Sequence, residues 1–167
     1  MRKIVLTGPE SSGKTTMAEL LAEHYQTLWV PEYARFFVEN LGRPYTELDL
    51  LTIAKEQIRQ EDQVATQVQN IMICDTDLIT IKIWQLEKFG GTFHWINEQL
   101  AKRHYDVYLL CAPDIPWEPD PHRENPDDRE RLYNSYKNEL LNWNKQMISL
   151  SGTVEERMEK AIKFIDR

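Results

Sequence analysis

Eight residues near the start of the sequence have the types and spacing needed to hold the phosphates of a nucleotide. They read Gly-Pro-Glu-Ser-Ser-Gly-Lys-Thr at 8–15 and match the pattern G-x-x-x-x-G-K-[ST]. The glycines let the backbone approach the phosphates closely, the lysine supplies a positive charge, and the final hydroxyl can ligate Mg²⁺. We therefore predict that this segment, the phosphate loop, binds ATP with Mg²⁺. The predicted ATP-binding residues here are Gly8, Glu10, Ser11, Ser12, Gly13, Lys14, Thr15 and Thr16.

Two acidic residues could complete a phosphoryl-transfer site around Lys14, which we predict to be catalytic. Glu32 directly follows a predicted strand and could accept the proton of an acceptor hydroxyl as catalytic base. The alternative for Glu32 is a solvated acid or an ion pair with Arg35. Asp75 ends another predicted strand, and with Thr15 it is expected to hold the magnesium ion.

The segment 113–131 differs in composition from the rest of the chain, with five prolines and many charged residues. We predict that it forms a lid over the bound nucleotide, the alternative being an ordinary surface loop. Within it, Arg123 is predicted to be catalytic, by neutralising charge on the transferred phosphoryl group. Arg129 and Arg131 are predicted to contact ATP. The alternative for these arginines is an exposed face on which neighbouring acids pair with them.

Aromatic and polar side chains elsewhere could bind the acceptor molecule. For each aromatic residue, packing in the core or on the surface is the competing interpretation, and for Asp77 it is a helix cap. The predicted acceptor-binding residues are Glu32, Tyr33, Arg35, Asp77, Trp84, Trp117 and Asp120.

Strands and helices alternate along the chain, which predicts an α/β fold with a parallel sheet covered on both faces. Short apolar runs predict strands at 2–7, 28–30, 70–74, 105–111 and 147–150. Amphipathic spacing predicts helices at 14–26, 34–41, 46–69, 78–89, 93–103 and 154–165. Thr46 and Thr153 are expected to cap two of these helices.

Length and composition restrict the class of protein. The 167 residues suit one domain, and the net charge of −7 argues against broad binding to nucleic acid. No apolar run is long enough to cross a bilayer and the first residues do not resemble a secretory signal, so we expect a cytoplasmic protein with a small-molecule substrate. The two cysteines, Cys74 and Cys111, lie in apolar runs, and no disulfide is expected.

Several segments together resemble the ribosylnicotinamide kinase domain of NadR-like proteins. They are found at 8–16 (GPESSGKTT), 31–35 (PEYAR), 75–77 (DTD) and 105–117 (YDVYLLCAPDIPW). The resemblance implies a P-loop NTPase of the nucleotide-kinase type, with a five-stranded parallel sheet of order 2-3-1-4-5. It also implies transfer of the γ-phosphoryl group of ATP to the 5′-hydroxyl of nicotinamide riboside, giving nicotinamide mononucleotide.

The sequence departs from that family at three places. Pro31 stands where members of the family can carry an aromatic residue, and Ile81 follows Thr80 where paired threonines are common. Pro121 replaces a glycine of the lid, which restricts its backbone beside Asp120. Two alternatives therefore stay open: a kinase of another nucleoside or small metabolite, and a non-catalytic ATP-binding regulatory module.

Overall fold

A five-stranded parallel sheet forms the centre of the protein, with the strand order β2-β3-β1-β4-β5. The computed structural model describes residues 1–119 and 127–167. The order is the one that the family resemblance implies, and the predicted fold class is confirmed. The strands are β1 (Arg2–Thr7), β2 (Trp29–Val30), β3 (Ile71–Asp75), β4 (Val107–Cys111) and β5 (Met147–Leu150).

Helices connect the strands and lie on both faces of the sheet. They are α1 (Lys14–His24), α2 (Tyr33–Leu41), α3 (Glu47–Ala65), α4 (Leu78–Phe89), α5 (His94–Lys102), α6 (Arg129–Asn142) and α7 (Val154–Ile165). Thr46 and Thr153 each form a capping box with the acid three residues later, as the sequence predicted.

Two apolar cores result from the alternation of side chains along the strands. In β1, Ile4 and Leu6 face α1 and α7, whereas Val5 faces the core built by α2 to α6. Cys74 and Cys111 are buried in these cores as free thiols. Because parallel strands place their carboxyl ends at one edge, β1, β2 and β3 deliver the phosphate loop, Glu32 and Asp75 to the same side.

The sequence predictions differ from the structure mainly between β4 and β5. Helix α6 was not predicted, and it begins inside the segment assigned to the lid. Arg129 and Arg131 therefore lie in the first turn of a helix rather than in a loop. Helix α3 ends at Ala65, about one turn earlier than expected. In the part of the chain that the structure describes, no helix is long and apolar enough to cross a membrane. The single domain, the cytoplasmic location and the lack of nucleic-acid binding stay predictions.

Candidate nucleotide-binding site

The phosphate loop turns sharply between β1 and α1. Gly8 has φ +134°, and a β-carbon there would lie 2.6 Å from the carbonyl oxygen of Cys111. Gly13 has φ +83° and occupies the N-cap position of α1, while Ser11 has φ +53°. Positive φ values at these positions curl the backbone into a concave turn at the positive end of a helix. This is the backbone geometry that binds phosphate.

Side chains of the loop fold back onto its own backbone. The Ser12 hydroxyl donates to the Pro9 carbonyl oxygen at 2.7 Å, and the Lys14 ammonium group donates to the same oxygen at 2.9 Å. Lys14 is partly exposed, and Thr15 and Thr16 are exposed at the start of α1. The lysine is thus held over the loop, where an anion arriving from solvent can reach it.

Arg129 holds the outer side of the loop. One guanidinium nitrogen donates to the carbonyl oxygens of Ser11 and Ile115, both at 3.0 Å. The guanidinium carbon lies 5.6 Å from the centre of the Trp117 ring. In this arrangement Arg129 braces the loop backbone against the segment after β4, a role that the prediction of ATP contact did not include.

Arg131 lies on an exposed face and pairs with acidic residues, which is the alternative to its predicted contact with ATP. Its guanidinium group pairs with Glu87 at 2.6 Å and with Asp128, and all three side chains are partly exposed. Arg131 therefore belongs to a charged surface between α4 and α6 and has no described contact with the phosphate loop. The reason is local, because Asp128 lies three residues before Arg131 at the start of α6.

Glu32 occupies the N-cap position of α2, and its side chain makes no cap hydrogen bond. The residue is partly exposed, yet protein surrounds the carboxyl group, and this desolvation raises its pKa to about 7. The positive charge of Lys14 opposes the rise, whereas the negative charges of Asp75 and Glu10 add to it. A carboxyl group with such a pKa is suited to accept a proton near neutral pH.

Gln57 fixes the backbone on both sides of Glu32. Its side-chain oxygen accepts from the Tyr33 N–H at 2.9 Å, and its side-chain nitrogen donates to the Pro31 carbonyl at 3.4 Å. Gln57 is 1% exposed. The sequence did not predict a role for this residue, because its partners lie more than twenty residues away and only its position on the buried face of α3 gives a signal.

Asp75 and Thr15 are joined at the end of β3. The Thr15 hydroxyl donates to Oδ2 of Asp75 at 2.6 Å, while the buried Oδ1 has no hydrogen-bond partner among the described residues. Burial raises the pKa of Asp75, opposed chiefly by Lys14. A hydroxyl and a carboxylate with a spare oxygen fit Mg²⁺, which takes oxygen ligands and draws several of them from water and phosphate. Within 1–119 and 127–167, no group of three or more His, Cys, Asp or Glu side chains is arranged so that it could hold a metal ion.

Asp77 caps α4, which confirms the structural alternative for this residue. Oδ1 accepts from the Ile79 N–H at 3.0 Å and Oδ2 accepts from the Tyr108 hydroxyl at 2.7 Å. The residue is fully buried, and desolvation raises its pKa to about 7. Both oxygens are already bonded, so contact with an acceptor would require one of these bonds to break.

The other predicted acceptor residues have different surroundings. Tyr33 begins α2 with its ring 5.8 Å from that of Phe36, and Arg35 is exposed and donates to Glu39 at 3.0 Å. They lie on the same helix as Glu32, at the edge of the site. Trp84 packs against the core. Asp120, predicted to bind the acceptor, and Arg123, predicted to be catalytic, both lie outside the described residues.

A cavity of about 230 Å³ opens beside the phosphate loop. It is built from α1, the segment after β4 and the connection from β5 to α7, which no single sequence motif brings together. A larger cleft of about 390 Å³ lies beside Arg2 and Asp106, at the other end of the sheet, so volume alone does not mark the site. The residues lining the smaller cavity are Gly13, Thr16, Met17, Ile115, Gly152, Thr153, Val154 and Arg157.

A family model described as an AAA domain matches residues 3–157. The chain belongs to this AAA domain family. Among curated proteins, it is 24% identical over 124 residues to the trifunctional NAD biosynthesis/regulator protein NadR of Salmonella typhimurium. That alignment covers 70% of this chain and 30% of NadR, so the chain spans less than a third of its relative.

Solved structures show the same fold. A NadR protein in complex with NR superposes with a TM-score of 0.84 and 20% identity, over 98% of this chain and 50% of the other. A NadR complex with NAD and AMP-PNP gives 0.77 at 20% identity, covering 98% and 48% of the two chains. Thymidylate kinase from Ehrlichia chaffeensis gives 0.71 at 16% identity, covering 98% of both chains. The resemblance to NadR-like proteins is confirmed, and the fold is that of P-loop nucleoside and nucleotide kinases.

Proposed function

We propose that this AAA domain is an ATP-dependent kinase that phosphorylates the 5′-hydroxyl of nicotinamide riboside, giving nicotinamide mononucleotide and ADP. The proposal rests mainly on the properties of Glu32. It combines a pKa of about 7 with a position in the field of Lys14, at the sheet edge that holds the phosphate loop. The likeness to NadR, whose solved complex contains NR, supports this choice of acceptor.

The phosphate loop and the 230 Å³ cavity beside it would form the donor half of the site. Backbone N–H groups of the loop would hold the phosphates, and Lys14 would leave the Pro9 carbonyl to contact the β and γ phosphates. The cavity adjoins Gly13 and Thr16, and its apolar wall of Met17 and Ile115 suits a flat purine ring. ATP would thus lie with its base against α7 and its phosphates over the loop.

The acceptor would approach from the side of α2. Its hydroxyl oxygen forms a bond to the γ-phosphorus as the bond from that phosphorus to the β–γ bridging oxygen breaks. Glu32 takes the hydroxyl proton, and ADP leaves with the bridging oxygen. Tyr33 at the start of α2 would contact the bound acceptor, and Arg123, from the proposed lid, would neutralise charge on the transferred group.

Thr15 and Asp75 would hold Mg²⁺, directly or through its water molecules. When bound, the ion would neutralise charge on the β and γ phosphates. Lys14 and the loop N–H groups would share this task, and Asp75 would also orient the Thr15 hydroxyl.

The proposal is tested with purified protein, ATP and Mg²⁺, and a panel of acceptors followed by ADP release and mass spectrometry. The panel contains nicotinamide riboside, deoxyadenosine, thymidine and thymidine monophosphate, since a thymidylate kinase shares the fold. We expect the highest kcat/KM for nicotinamide riboside, with nicotinamide mononucleotide as product. A higher value for another member would replace the acceptor but keep the kinase. Tight ATP binding without transfer to any acceptor would favour the regulatory module instead.

A further inference from the structure

Arg157 on α7 is a buried arginine directly behind the phosphate loop. It is 2% exposed and ranks among the largest fully buried side chains of the described chain. Burial of a guanidinium group costs considerable free energy unless every donor finds a partner. Here each of the three guanidinium nitrogens donates at least one hydrogen bond, and the partners lie at the carboxyl edge of the sheet. It donates to the carbonyl oxygens of Ser12 (2.7 Å), Ala112 (3.0 Å) and Gly152 (3.1 Å), and pairs with Asp114.

The contact with Ser12 determines how the loop presents its backbone. In a trans peptide the C=O of one residue and the N–H of the next point in opposite directions. With the Ser12 carbonyl directed at Arg157, the N–H of Gly13 points away from α7. Arg129 has the same effect one residue earlier, because it binds the Ser11 carbonyl and so orients the N–H of Ser12. Two arginines from separate helices thus hold the consecutive carbonyls of Ser11 and Ser12.

We propose that Arg157 is a positioning residue for the triphosphate: it keeps the Ser12 carbonyl outward so that the Gly13 N–H faces the phosphates. The inference deepens the proposed function and rests on its ATP binding. Arg157 also holds Gly152, which lines the 230 Å³ cavity after β5, and Ala112, which directly follows β4. One side chain therefore sets the phosphate loop in register with the walls of the cavity.

The test compares Arg157→Met with Arg103→Met. Methionine keeps an unbranched apolar stem and removes the guanidinium group with its charge and donors. Arg103 is the matched control, because its side chain is also largely buried and pairs with Glu61 and Asp62 far from the loop. For each protein, dissociation constants for ATP and for inorganic tripolyphosphate are measured by calorimetry, and urea unfolding establishes that the protein is folded.

We expect Arg157→Met to weaken tripolyphosphate and ATP binding by similar factors, about tenfold or more, since a charge-assisted hydrogen bond to the loop is lost. Arg103→Met is expected to lower stability and to leave both constants unchanged. Weaker binding of ATP alone, with tripolyphosphate unaffected, would mean that Arg157 only shapes the cavity and would overturn the proposal. Wild-type affinities in folded Arg157→Met would overturn it as well.

If Arg157→Met does not fold, Arg157→Lys decides the question. Lysine keeps the charge but its single nitrogen cannot reach three carbonyl groups at once. We expect it to fold and to bind tripolyphosphate severalfold more weakly than wild type, whereas wild-type binding would contradict the inference. Failure of the kinase proposal gives a different result. The wild type would then bind ATP and phosphorylate no acceptor. The dissociation constants of the Arg157 variants would still test the role of Arg157, because they do not depend on phosphoryl transfer.

Discussion

Two pairs of enclosed carboxyl groups share a raised pKa but differ in their surroundings. Glu32 and Asp75, the loop acids, lie beside the phosphate loop, whereas Glu61 and Asp77, the core acids, lie between the sheet and its covering helices. In all four, desolvation is the largest cause of the raised pKa. A perturbed pKa therefore does not separate the candidate site from the core of this protein.

The core acids are enclosed by fixed donors. Glu61 accepts from the Tyr105 hydroxyl at 2.8 Å and from Arg103 at 3.1 Å, and Asp77 accepts from the Tyr108 hydroxyl at 2.7 Å. The loop acids instead share the charge of Lys14, whose side chain is partly exposed and bound only to a carbonyl oxygen among its described contacts. An approaching phosphate can redirect this lysine, whereas Arg103 is held by two acids.

An unpartnered oxygen does not distinguish the pairs either. Oδ1 of Asp75 and Oε1 of Glu61 are both buried without a hydrogen bond among the described residues. Only Asp75 is bonded to a hydroxyl of the phosphate loop. In this protein the neighbours of a carboxyl group and their freedom to move, rather than its burial, identify a site for charged ligands.

The largest effect is expected from replacing a loop acid that accepts a proton. Glu32→Gln should lower kcat by about 10²- to 10⁴-fold, because glutamine cannot accept the hydroxyl proton. ATP affinity should stay close to the wild-type value. In the wild type, kcat/KM should rise with pH through about 7 and then level off, as Glu32 loses its proton.

The matched control is Glu39→Gln, which changes an exposed acid on the same helix, α2. It should leave steady-state rates unchanged apart from a small effect of losing its ion pair with Arg35. Unaltered turnover in Glu32→Gln would show that Glu32 is not the catalytic base. The main difference in chemistry between the loop acids and the core acids would then be absent.

A smaller effect is expected from the loop acid assigned to the metal. Asp75→Asn should reduce the rate by about 10- to 100-fold and raise the Mg²⁺ concentration for half-maximal activity, because the carboxylate beside Thr15 is lost. Glu61→Gln removes a core acid that has the same unpartnered oxygen. Its Mg²⁺ dependence should match the wild type. A similar shift in both variants would show that the contact with the phosphate loop does not distinguish Asp75 from Glu61.

The smallest effect concerns stability. The pKa of Asp77 in the folded protein, about 7, is above its value in an unfolded chain, so the folded state binds more protons between these values. The free energy of unfolding should therefore fall as pH rises towards 7 and level off above it, by about 1.4 kcal/mol between pH 6 and 8 from this group. Asp77→Asn keeps an acceptor for the Ile79 N–H and should lose that part of the slope. Equal slopes in urea titrations of both proteins would show that Asp77 does not titrate there.

Much of the fold could be predicted because its signals are local. The apolar runs of β1 and β5 and the amphipathic face of α7 gave the observed bounds, since burial imposes a period of two or of 3.6 residues on the sequence. Helix α6 was missed because it starts within the segment of prolines and charges. Its buried face is marked by Leu132, Tyr136 and Leu140, four residues apart, among many polar residues.

The candidate site could be predicted where its residues follow strands directly. The phosphate loop, Glu32 and Asp75 needed only the strand ends and the parallel sheet. Gln57 and Arg157 could not be found in this way, because they act through carbonyl and N–H groups of distant segments. A buried polar residue on a helix leaves no trace in a single sequence that separates it from a solvated one.

The clash at Gly8 separates two explanations of the first glycine in the phosphate loop. A β-carbon there would collide with the backbone of β4, at the Cys111 carbonyl oxygen, before it reached any ligand. A side chain at this position would therefore disturb the packing of the phosphate loop against the sheet, whether or not a nucleotide is bound. The fold itself thus requires glycine at position 8, and its presence alone does not indicate that the loop binds ATP, whereas Lys14 has no such requirement from the sheet.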